Sequence, residues 1–427
     1  MRNQVARRVA VVGGLRIPFC RANTAYRHCS NQDMMSAVLR ALVQRHGLEG
    51  ERLGEVALGA VIKHSRDWNL ARESTLSSGL APETPAFDLQ RACGTSLSAS
   101  IIIASKIATG LIDAGIAGGT DSISDMPVVY SDAYRNLLLE SARGKTLGER
   151  LRPWLRLRPR HFKPQLPQVV EPRTGLSMGQ SMEVTAKQWH ITREEQDALA
   201  LASHRNANRA YEEGFYDDLV VPHEGVRKDN NIRPDTSMEA LAKLKPVFDR
   251  SPSGTLTAGN STPLTDGASA VLLASEEWAA ERGLPVQAYI TYARERAVDF
   301  VKSEGLLMAP AYAVSEMLLE AGLELQDFDY YEIHEAFAAQ TLATLKAWES
   351  EEFCRERLKR DRAMGPIDRS KLNVKGGSVA IGHPFAATGT RLLATMAKLL
   401  QQKGSGRGLV SVCTAGGMGV TAILEAA

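Results

Sequence analysis

Four short motifs carry the residues of this chain that could do covalent chemistry. Cys93 is followed by Gly-Thr-Ser, and Cys413, near the far end of the chain, is followed by Thr-Ala-Gly-Gly. Two histidines lie between them: His334 precedes Glu-Ala-Phe, and His383 stands between a glycine and a proline. Thiols are nucleophiles and imidazoles move protons near neutral pH, so the four residues together indicate a thiol-based active site.

Cys93 is the candidate nucleophile because it stands where a small-residue helix is predicted to begin. The positive end of a helix dipole and its free N–H groups favour thiolate over thiol. Cys413 follows a predicted buried strand and precedes glycines that would let a ligand approach the backbone. For either cysteine taken alone, a small buried apolar side chain is an equally good interpretation. The pairing of the two favours chemistry.

His383 is the candidate base, because an imidazole beside a thiol can take up its proton. His334 ends a predicted strand and could donate a hydrogen bond to a developing oxyanion. Structural roles stay open for both, a turn residue for His383 and a cap for His334. Other histidines, such as His190 and His204, are interpreted as solvated.

Length, charge and cysteine content limit the class of protein. With 427 residues, 44% of them hydrophobic, the chain is long enough for two or more domains or one large layered unit. A formal charge of +2 gives no argument for nucleic acid binding. Five cysteines without a CxxC spacing argue against a disulfide framework and a zinc site. We therefore expect no metal and a reducing, cytoplasmic compartment.

The apolar segments argue against export and membrane insertion. The basic stretch at residues 1–8 is followed by a short apolar run at 9–12, which is too short for a signal peptide and predicts a first strand. No segment approaches the roughly 20 apolar residues of a membrane-spanning helix. A soluble protein is expected.

A pattern of turn, helix, glycine stop and strand occurs twice in the chain. The predicted segments are helix 94–109, Gly110 and strand 114–119, then helix 384–402, Gly404 and strand 408–413. Further strands are predicted at 55–62 and 329–333. Helices that alternate with short apolar strands indicate a layered α/β fold, here with two pseudo-symmetric halves. The four motifs then lie at strand ends and helix starts, where sites of such folds are assembled.

The middle of the chain differs in composition. Residues 143–173 carry nine basic and two acidic side chains, with several prolines that make one long helix unfavourable. A helical stretch is predicted at 182–190, and a further helix begins with the capping box of Thr192 and Glu195 and ends near Gly214. The apolar run 268–274 predicts a strand that rejoins the core.

Taken together, the motifs around Cys93, His334, His383 and Cys413 resemble those of the thiolases, over essentially the whole chain. His-Glu-Ala-Phe in place of the more usual Asn-Glu-Ala-Phe, and the basic insert ending at Pro167, resemble the thiolase subunit of trifunctional fatty-acid oxidation complexes. The resemblance implies a thiolase fold of two pseudo-symmetric α/β halves with an inserted, mainly helical loop domain. The implied domains are 1–125 (rejoined by about 255–275), 126–254 and 276–427.

The resemblance also implies an activity, the cleavage of a 3-ketoacyl-CoA by CoA to acetyl-CoA and a shortened acyl-CoA. Cys93 would carry the acyl group, His383 would take its proton, and Cys413 would protonate the leaving enolate and later deprotonate CoA. One oxyanion hole would consist of His383 and a water held by His334. The other would consist of the N–H groups of Cys93 and Ala415, where the family more usually has glycine.

For CoA, the resemblance implies a co-substrate rather than a tightly bound cofactor. Ser261, in the loop 258–261, would bond a pantetheine amide, and Met178 would pack near the thioester. Arg233 could meet the CoA phosphates by charge-assisted hydrogen bonds, with a solvated loop charge as the alternative.

Partners and competing functions complete the expectations. A homodimer or larger oligomer is expected. Residues 143–173 could be a solvated surface, could dock a hydratase/dehydrogenase subunit, or could touch a membrane surface, since leucines and a tryptophan alternate with arginines there. The alternatives are an acetoacetyl-CoA thiolase, another condensing enzyme of the same fold, or a catalytically silent acyl-CoA-binding subunit. Cys413 favours thiolase over ketosynthase.

Overall fold

The computed structural model describes residues 6–166, 170–302 and 304–427. The first five residues of the basic N-terminal stretch, and Pro167 of the basic insert, lie outside the described residues. Two compact units are present: Met1–Asp125 together with Glu171–Ala427, and Met126–Val170. The predicted limits of a loop domain at 126–254 stay a prediction.

Ten strands form the sheet structure of the described chain. They are β1 (Val9–Arg16), β2 (Cys20–Arg21), β3 (Glu55–Leu58), β4 (Ala86–Asp88), β5 (Ala114–Asp121), β6 (Thr265–Ser275), β7 (Ala288–Ala297), β8 (Tyr330–Ile333), β9 (Arg407–Thr414) and β10 (Met418–Ala426).

Fourteen α-helices accompany the strands within the described ranges. They are α1 (Asn31–Arg45), α2 (Leu70–Leu76), α3 (Thr95–Ala108), α4 (Asp132–Arg143), α5 (Leu147–Leu151), α6 (Met178–Gln188), α7 (Arg193–Glu212), α8 (Met238–Ala242), α9 (Glu276–Glu281), α10 (Ala309–Ala321), α11 (Ala338–Glu349), α12 (Glu351–Glu356), α13 (Ser378–Ile381) and α14 (Thr388–Lys403). Short 3-10 turns cover Ser65–Asp67, Arg152–Arg156, Pro159–Phe162, Arg369–Lys371 and Phe385–Ala387.

The strand order shows the predicted pseudo-symmetry directly. The order is β4-β3-β5-β6-β1-β7-β10-β9-β8, with β2 paired to β6. In the first half β3 is parallel to β5, which is antiparallel to β6; in the second half β8 is parallel to β9, which is antiparallel to β10. The halves join where β1 pairs with β7 in antiparallel fashion. The repeated motif of the sequence thus corresponds to α3–β5 and α14–β9.

The helices α3 and α14 form the buried layer that brings the two halves together. Every residue of α14 from Thr388 to Leu400 is buried. The helices approach so closely that a methyl group at Gly389 would lie 2.4 Å from the backbone nitrogen of Leu97. Because Cys93 stands just before α3 and His383 just before α14, this contact brings the two candidate residues close together.

Several predicted element boundaries are corrected. The strand predicted at 55–62 ends at Leu58, since the backbone at Gly59 lies against the Leu89 carbonyl, 2.1 Å from where a methyl group would be. The segment after His383 begins as a 3-10 turn, and α14 begins only at Thr388. The helix predicted at 182–190 begins earlier, at Met178, with Ser177 as a capping residue.

Other local predictions are confirmed. The capping box of Thr192 and Glu195 is present at the start of α7, with both hydrogen bonds formed. Gly404 closes α14 in the left-handed conformation at φ 75°. Gly110 has φ 72° after α3. In the basic insert, Pro153 and Pro159 each stand in a separate 3-10 turn, so no long helix forms there.

None of the helices that the structure describes has the length and apolar character that crossing a membrane requires.

Candidate active site

Cys93 lies in the tight turn between β4 and α3. The preceding Ala92 has φ 43°, a left-handed conformation that costs energy for alanine and is typical of functional sites. A methyl group at Gly94 would lie 2.7 Å from side-chain carbons of both Thr414 and Val420. Only glycine therefore lets this turn approach β9 and β10, and that approach brings Cys93 next to Cys413.

His383 is held in its turn by backbone and side-chain contacts. Gly382 adopts φ 112°, which favours glycine, and the His383 N–H donates to the Thr265 hydroxyl at 2.8 Å. The Asp121 carboxylate accepts the Ala386 N–H at 2.8 Å and so secures the far side of the turn. The ring is oriented by a 2.5 Å contact between its Nδ1 and the Thr388 hydroxyl. Its Nε2 lies 3.1 Å from the Cys93 thiol.

Burial sets the protonation of this pair. It raises the pKa of the Cys93 thiol to about 12, although N–H groups of Ala415 and of Cys93 itself act in the opposite direction. Burial lowers the pKa of His383 to about 3, and the Arg391 guanidinium lowers it further. The resting pair is therefore a neutral thiol that donates to a neutral imidazole. Burial thus opposes the thiolate expected at the helix start, because loss of hydration disfavours the charged form of the thiol.

Cys413 is the next-to-last residue of β9 and is 1% exposed. Burial and the nearby Cys93 raise the pKa of its thiol well above the usual value, while the N–H of Ala336 acts in the opposite direction. A second neutral thiol thus lies beside the first, with a backbone donor that would stabilise it on losing its proton. This is the environment of a group that gives up and takes back a proton.

His334 follows β8 and is fully buried beside His383. The two ring centroids are 4.1 Å apart. Its Nδ1 contacts the Ser378 hydroxyl at 2.8 Å, and its Nε2 has no hydrogen-bond partner among the described residues. Burial, with His383 and Arg391 nearby, lowers the pKa of His334 well below the usual value. A neutral ring with one free nitrogen therefore faces the site.

Donor atoms of Cys93, His334 and His383 all lie within 4.8 Å of one another. A reacting carbonyl group can contact all three at this spacing. The same donor set suits zinc, so the expected absence of a metal stays a prediction.

Ala415 lies in the turn between β9 and β10, where its N–H reaches the Cys93 thiol. The N–H of the next residue, Gly416, is instead taken by the Glu171 carboxylate at 2.7 Å. The structure thus brings together all five residues predicted for catalysis and the oxyanion holes: Cys93, His334, His383, Cys413 and Ala415.

Of the residues predicted to contact CoA, Ser261 is paired with Phe337, in the segment that follows His334. Ser261 is 5% exposed, and its hydroxyl has no hydrogen-bond partner in the described part of the chain. Met178 is the first residue of α6. Arg233 is exposed, and its backbone N–H donates to His204 Nδ1 at 3.2 Å. The three assignments stay predictions.

Sequence reasoning missed the hydroxyl groups that orient the two histidines. Ser378 and Thr388 stand five residues before and after His383, so a search for hydroxyl groups flanking the turn could have found them. Arg391, one helical turn beyond Thr388, gave no signal because arginines in helices are usually solvated. The interpretation of His204 as solvated was wrong, since it is 4% exposed.

Two family models match the chain: the thiolase N-terminal domain over residues 9–277 and the thiolase C-terminal domain over 284–426. The chain therefore belongs to the thiolase family, and the predicted family and fold are confirmed.

Individual relatives agree with this membership. A 3-ketoacyl-CoA thiolase of Yersinia pestis is 42% identical over 424 residues, which cover 98% of this chain and 97% of the relative. The structure of human mitochondrial 3-ketoacyl-CoA thiolase matches with a TM-score of 0.83 at 28% identity, covering 99% of this chain and 100% of that one. The structure of Bacillus anthracis acetyl-CoA acetyltransferase matches with a TM-score of 0.82 at 30% identity, covering 99% and 100%.

The neutral resting pair predicts how Cys93 reacts with iodoacetamide. Because His383 takes the thiol proton as the Cys93 sulfur attacks, and is neutral above its lowered pKa, the rate constant should be independent of pH between about pH 6 and 9. Peptide mapping by mass spectrometry would separate Cys93 from the other cysteines.

The His383→Ala variant provides the control for this pH profile. Without the base only the thiolate is alkylated, so the rate constant of the variant should be lower and should rise about tenfold per pH unit over this range. The same pH profile in both proteins would contradict the assignment of His383 as the base.

Proposed function

We propose that this chain is a 3-ketoacyl-CoA thiolase, an acyltransferase of fatty-acid β-oxidation. One observation carries the proposal: the thiols of Cys93 and of the buried Cys413 lie close to each other, and His383 Nε2 is 3.1 Å from the first. The identity of 42% to a 3-ketoacyl-CoA thiolase supports the same substrate class.

Cleavage begins when the Cys93 sulfur attacks the 3-keto carbon and its proton passes to His383 Nε2. The C2–C3 bond then breaks, Cys93 keeps the shortened acyl group as a thioester, and the enolate of acetyl-CoA takes the proton of Cys413. Next, the Cys413 thiolate takes the proton of an incoming CoA. The CoA sulfur attacks the acyl thioester, and Cys93 leaves and recovers its proton from His383.

Two sets of donors would stabilise the oxyanions of these steps. The N–H groups of Cys93 and Ala415 converge on the attacking sulfur, which fits the oxygen of a thioester bound there. Protonated His383 and a water held by His334 would bind the oxygen of the other group. Because the groups of the resting site are neutral, no other charge has to leave before an oxyanion forms there.

The alternatives differ from the proposal in one residue or one substrate. An acetoacetyl-CoA thiolase would use the same residues, and the likeness to an acetyl-CoA acetyltransferase keeps that activity as the second candidate. A ketosynthase or another condensing enzyme lacks the role that Cys413 would have. A silent subunit would lack a reactive residue, whereas all four are present.

CoA itself would be the only further small molecule required, as a co-substrate. Arg233 and Arg21 supply a site for its phosphates. The Arg233 guanidinium lies near that of Arg21: burial lowers the pKa of Arg21, and the positive charge of Arg233 lowers it further. Burial and both arginines lower the pKa of His204 to about 4. Arg21 Nε donates to the neutral Asn231 side chain at 2.8 Å, so that contact leaves its charge available to a phosphate. Ser261 is proposed to bond a pantetheine amide, and Met178 is proposed to pack near the thioester.

As partners we propose a second copy of this chain and a hydratase/dehydrogenase subunit, in the cytoplasm. The strand β4 ends the sheet with one edge unpaired among the described residues, which suits pairing between copies. All five cysteines are free thiols, as in a reducing compartment.

For residues 143–173 we propose contact with an anionic membrane surface. Within this segment Leu151 and Leu155 are exposed, by 56% and 81%, among the arginines. Apolar and basic side chains presented together favour binding to anionic lipid surfaces. Docking of the partner subunit is the alternative use of the same surface.

The purified protein should cleave a long-chain 3-ketoacyl-CoA at least as fast as acetoacetyl-CoA, measured by loss of the magnesium-enhanced absorbance of the 3-keto group. Cys93→Ser should lower kcat by at least about a thousandfold, because an alcohol is a far weaker nucleophile at this pH. Activity restricted to acetoacetyl-CoA would select the second candidate. Full thiolysis by Cys93→Ser would contradict the mechanism.

Arg233→Ala should raise the KM for CoA about tenfold or more, since it removes a charge-assisted hydrogen bond to a phosphate. The KM for dephospho-CoA should change less if Arg233 meets the 3′-phosphate. Arg52→Ala, which changes an exposed arginine before β3, is the matched control. Equal effects of both variants would reject the assignment of Arg233.

Flotation with phosphatidylglycerol vesicles tests the membrane contact. The protein should float with these vesicles at low salt, should remain below with phosphatidylcholine vesicles, and should be released as salt screens the charges. Leu155→Ser should weaken flotation without affecting thiolysis. Failure to bind anionic vesicles would leave the partner subunit as the occupant of this surface.

A further inference from the structure

Behind His334 lies a buried chain of polar groups that catalysis as described above does not use. The Arg391 guanidinium contacts the Ser378 hydroxyl through Nη2 at 2.8 Å, and Ser378 Oγ lies 2.8 Å from His334 Nδ1. On its other side, Arg391 Nη1 faces a Glu332 carboxylate oxygen at 3.5 Å. Each of the four side chains is almost completely buried.

The direction of each hydrogen bond in this chain follows from the groups themselves. A guanidinium carries hydrogens on every nitrogen and accepts none, so Arg391 must donate to Ser378 Oγ. The hydroxyl hydrogen of Ser378 then needs an acceptor. Apart from Arg391, His334 Nδ1 is the only hydrogen-bonding atom that contacts Ser378 Oγ in the described structure. Ser378 therefore donates to Nδ1, which must carry a lone pair.

This direction determines the tautomer of His334. Burial keeps the ring neutral, because it lowers the pKa well below the usual value. A neutral imidazole with a lone pair on Nδ1 carries its hydrogen on Nε2. The Nε2 atom is the one that faces the candidate site and has no partner in the described part of the protein. His334 thus presents an N–H donor to the site.

We propose that Ser378 and Arg391 are positioning residues that hold His334 in its Nε2–H tautomer, as a hydrogen-bond donor for the developing enolate oxygen or the water bound to it. The proposal rests on the proposed function, and it adds two residues to that reaction. Neither touches substrate; Arg391 acts through Ser378, and Ser378 acts through His334.

His383 differs from His334 because no cation among the described residues donates to the hydroxyl group that contacts its ring. Its Nδ1 also meets a hydroxyl group, that of Thr388, at 2.5 Å. Thr388 Oγ1 has no guanidinium donor among the described residues, so it can accept a hydrogen from Nδ1. Nε2 of His383 is then free to accept the Cys93 proton, as a base requires. The contacts of His383 thus permit the tautomer that a base requires, whereas those of His334 fix the donor tautomer.

The cost of burying Arg391 makes a purely stabilising role a weak explanation. Its ion pair with Glu332 is long at 3.5 Å, both side chains are 1% exposed, and Glu332 Oε1 lacks a partner among the described residues. Buried ion pairs of this kind often add little stability, since desolvation offsets the attraction. A permanent donor aimed at Ser378 gives the arginine a function that an apolar side chain could not replace.

Nitrogen-15 NMR of protein with labelled histidines tests the tautomer without reference to activity. The expected result is that His334, assigned by the loss of its signals in His334→Asn, shows a protonated Nε2 and an unprotonated Nδ1. In Ser378→Ala the two signals should move toward each other as the tautomers mix. A protonated Nδ1 in the unaltered protein would overturn the proposal, whatever the enzyme's substrate.

Kinetics test the consequence for the reaction. Ser378→Ala should lower kcat about tenfold with little change in the KM for CoA, which is less than the loss expected for removing an oxyanion donor completely. Ser378→Thr keeps the hydroxyl and should recover activity. Ser74→Ala, which removes a buried hydroxyl without a partner among the described residues, is the matched control and should leave kcat unchanged.

A double-mutant comparison separates tautomer selection from a structural effect. An asparagine at 334 always presents an amide N–H and has no tautomer to choose. In the His334→Asn background, Ser378→Ala should therefore change kcat much less than in the original protein. An equal loss in both backgrounds would overturn the proposal. If the protein shows no thiolysis at all, the proposed function fails, while the NMR result still decides the tautomer.

Discussion

The contact between the Cys93 thiol and His383 Nε2 is the constraint on which the rest of the structure depends. It joins residues 290 positions apart over 3.1 Å. Such a contact needs the two halves of the fold to meet backbone to backbone, and glycine makes this possible at Gly389, between α3 and α14. The same holds at Gly94, where the nucleophile turn lies against β9 and β10. The pseudo-symmetric sheet is the frame that holds these two approaches in register.

Enclosure of the site has a second consequence, which concerns protons. Burial raises the pKa of both cysteines and lowers that of both histidines, so the resting site holds four neutral groups. Charge then appears only as the reaction proceeds, where backbone N–H groups already point at the two sulfur atoms. This arrangement explains why two thiols are needed. The proton that leaves with the enolate must come from a group that is still protonated after Cys93 has become acylated, and Cys413 is such a group.

Much of this could be predicted from the sequence, because it follows from local patterns. The repeated turn, helix, glycine and strand predicted both halves, and the four motifs predicted which residues meet. What the sequence could not predict depends on enclosure. The helix-start position of Cys93 indicated a thiolate, whereas the packed structure adds burial, which raises the pKa of the thiol. Likewise, His204 and Arg391 carry no pattern of buried residues in sequence, and their burial results from elements that come from distant parts of the chain.

The two histidines illustrate how identical side chains acquire different chemistry from what lies behind them. Each ring nitrogen Nδ1 meets a hydroxyl group, and each Nε2 faces the same small space. The difference is one buried guanidinium, which turns the Ser378 hydroxyl into a donor while the Thr388 hydroxyl can accept. An asparagine at 334 would present its N–H without help, whereas a histidine there requires the direction of its hydrogen bond to be set. His334, Ser378 and Arg391 therefore form one unit, and the departure from Asn-Glu-Ala-Phe is best understood together with the two residues that make it workable.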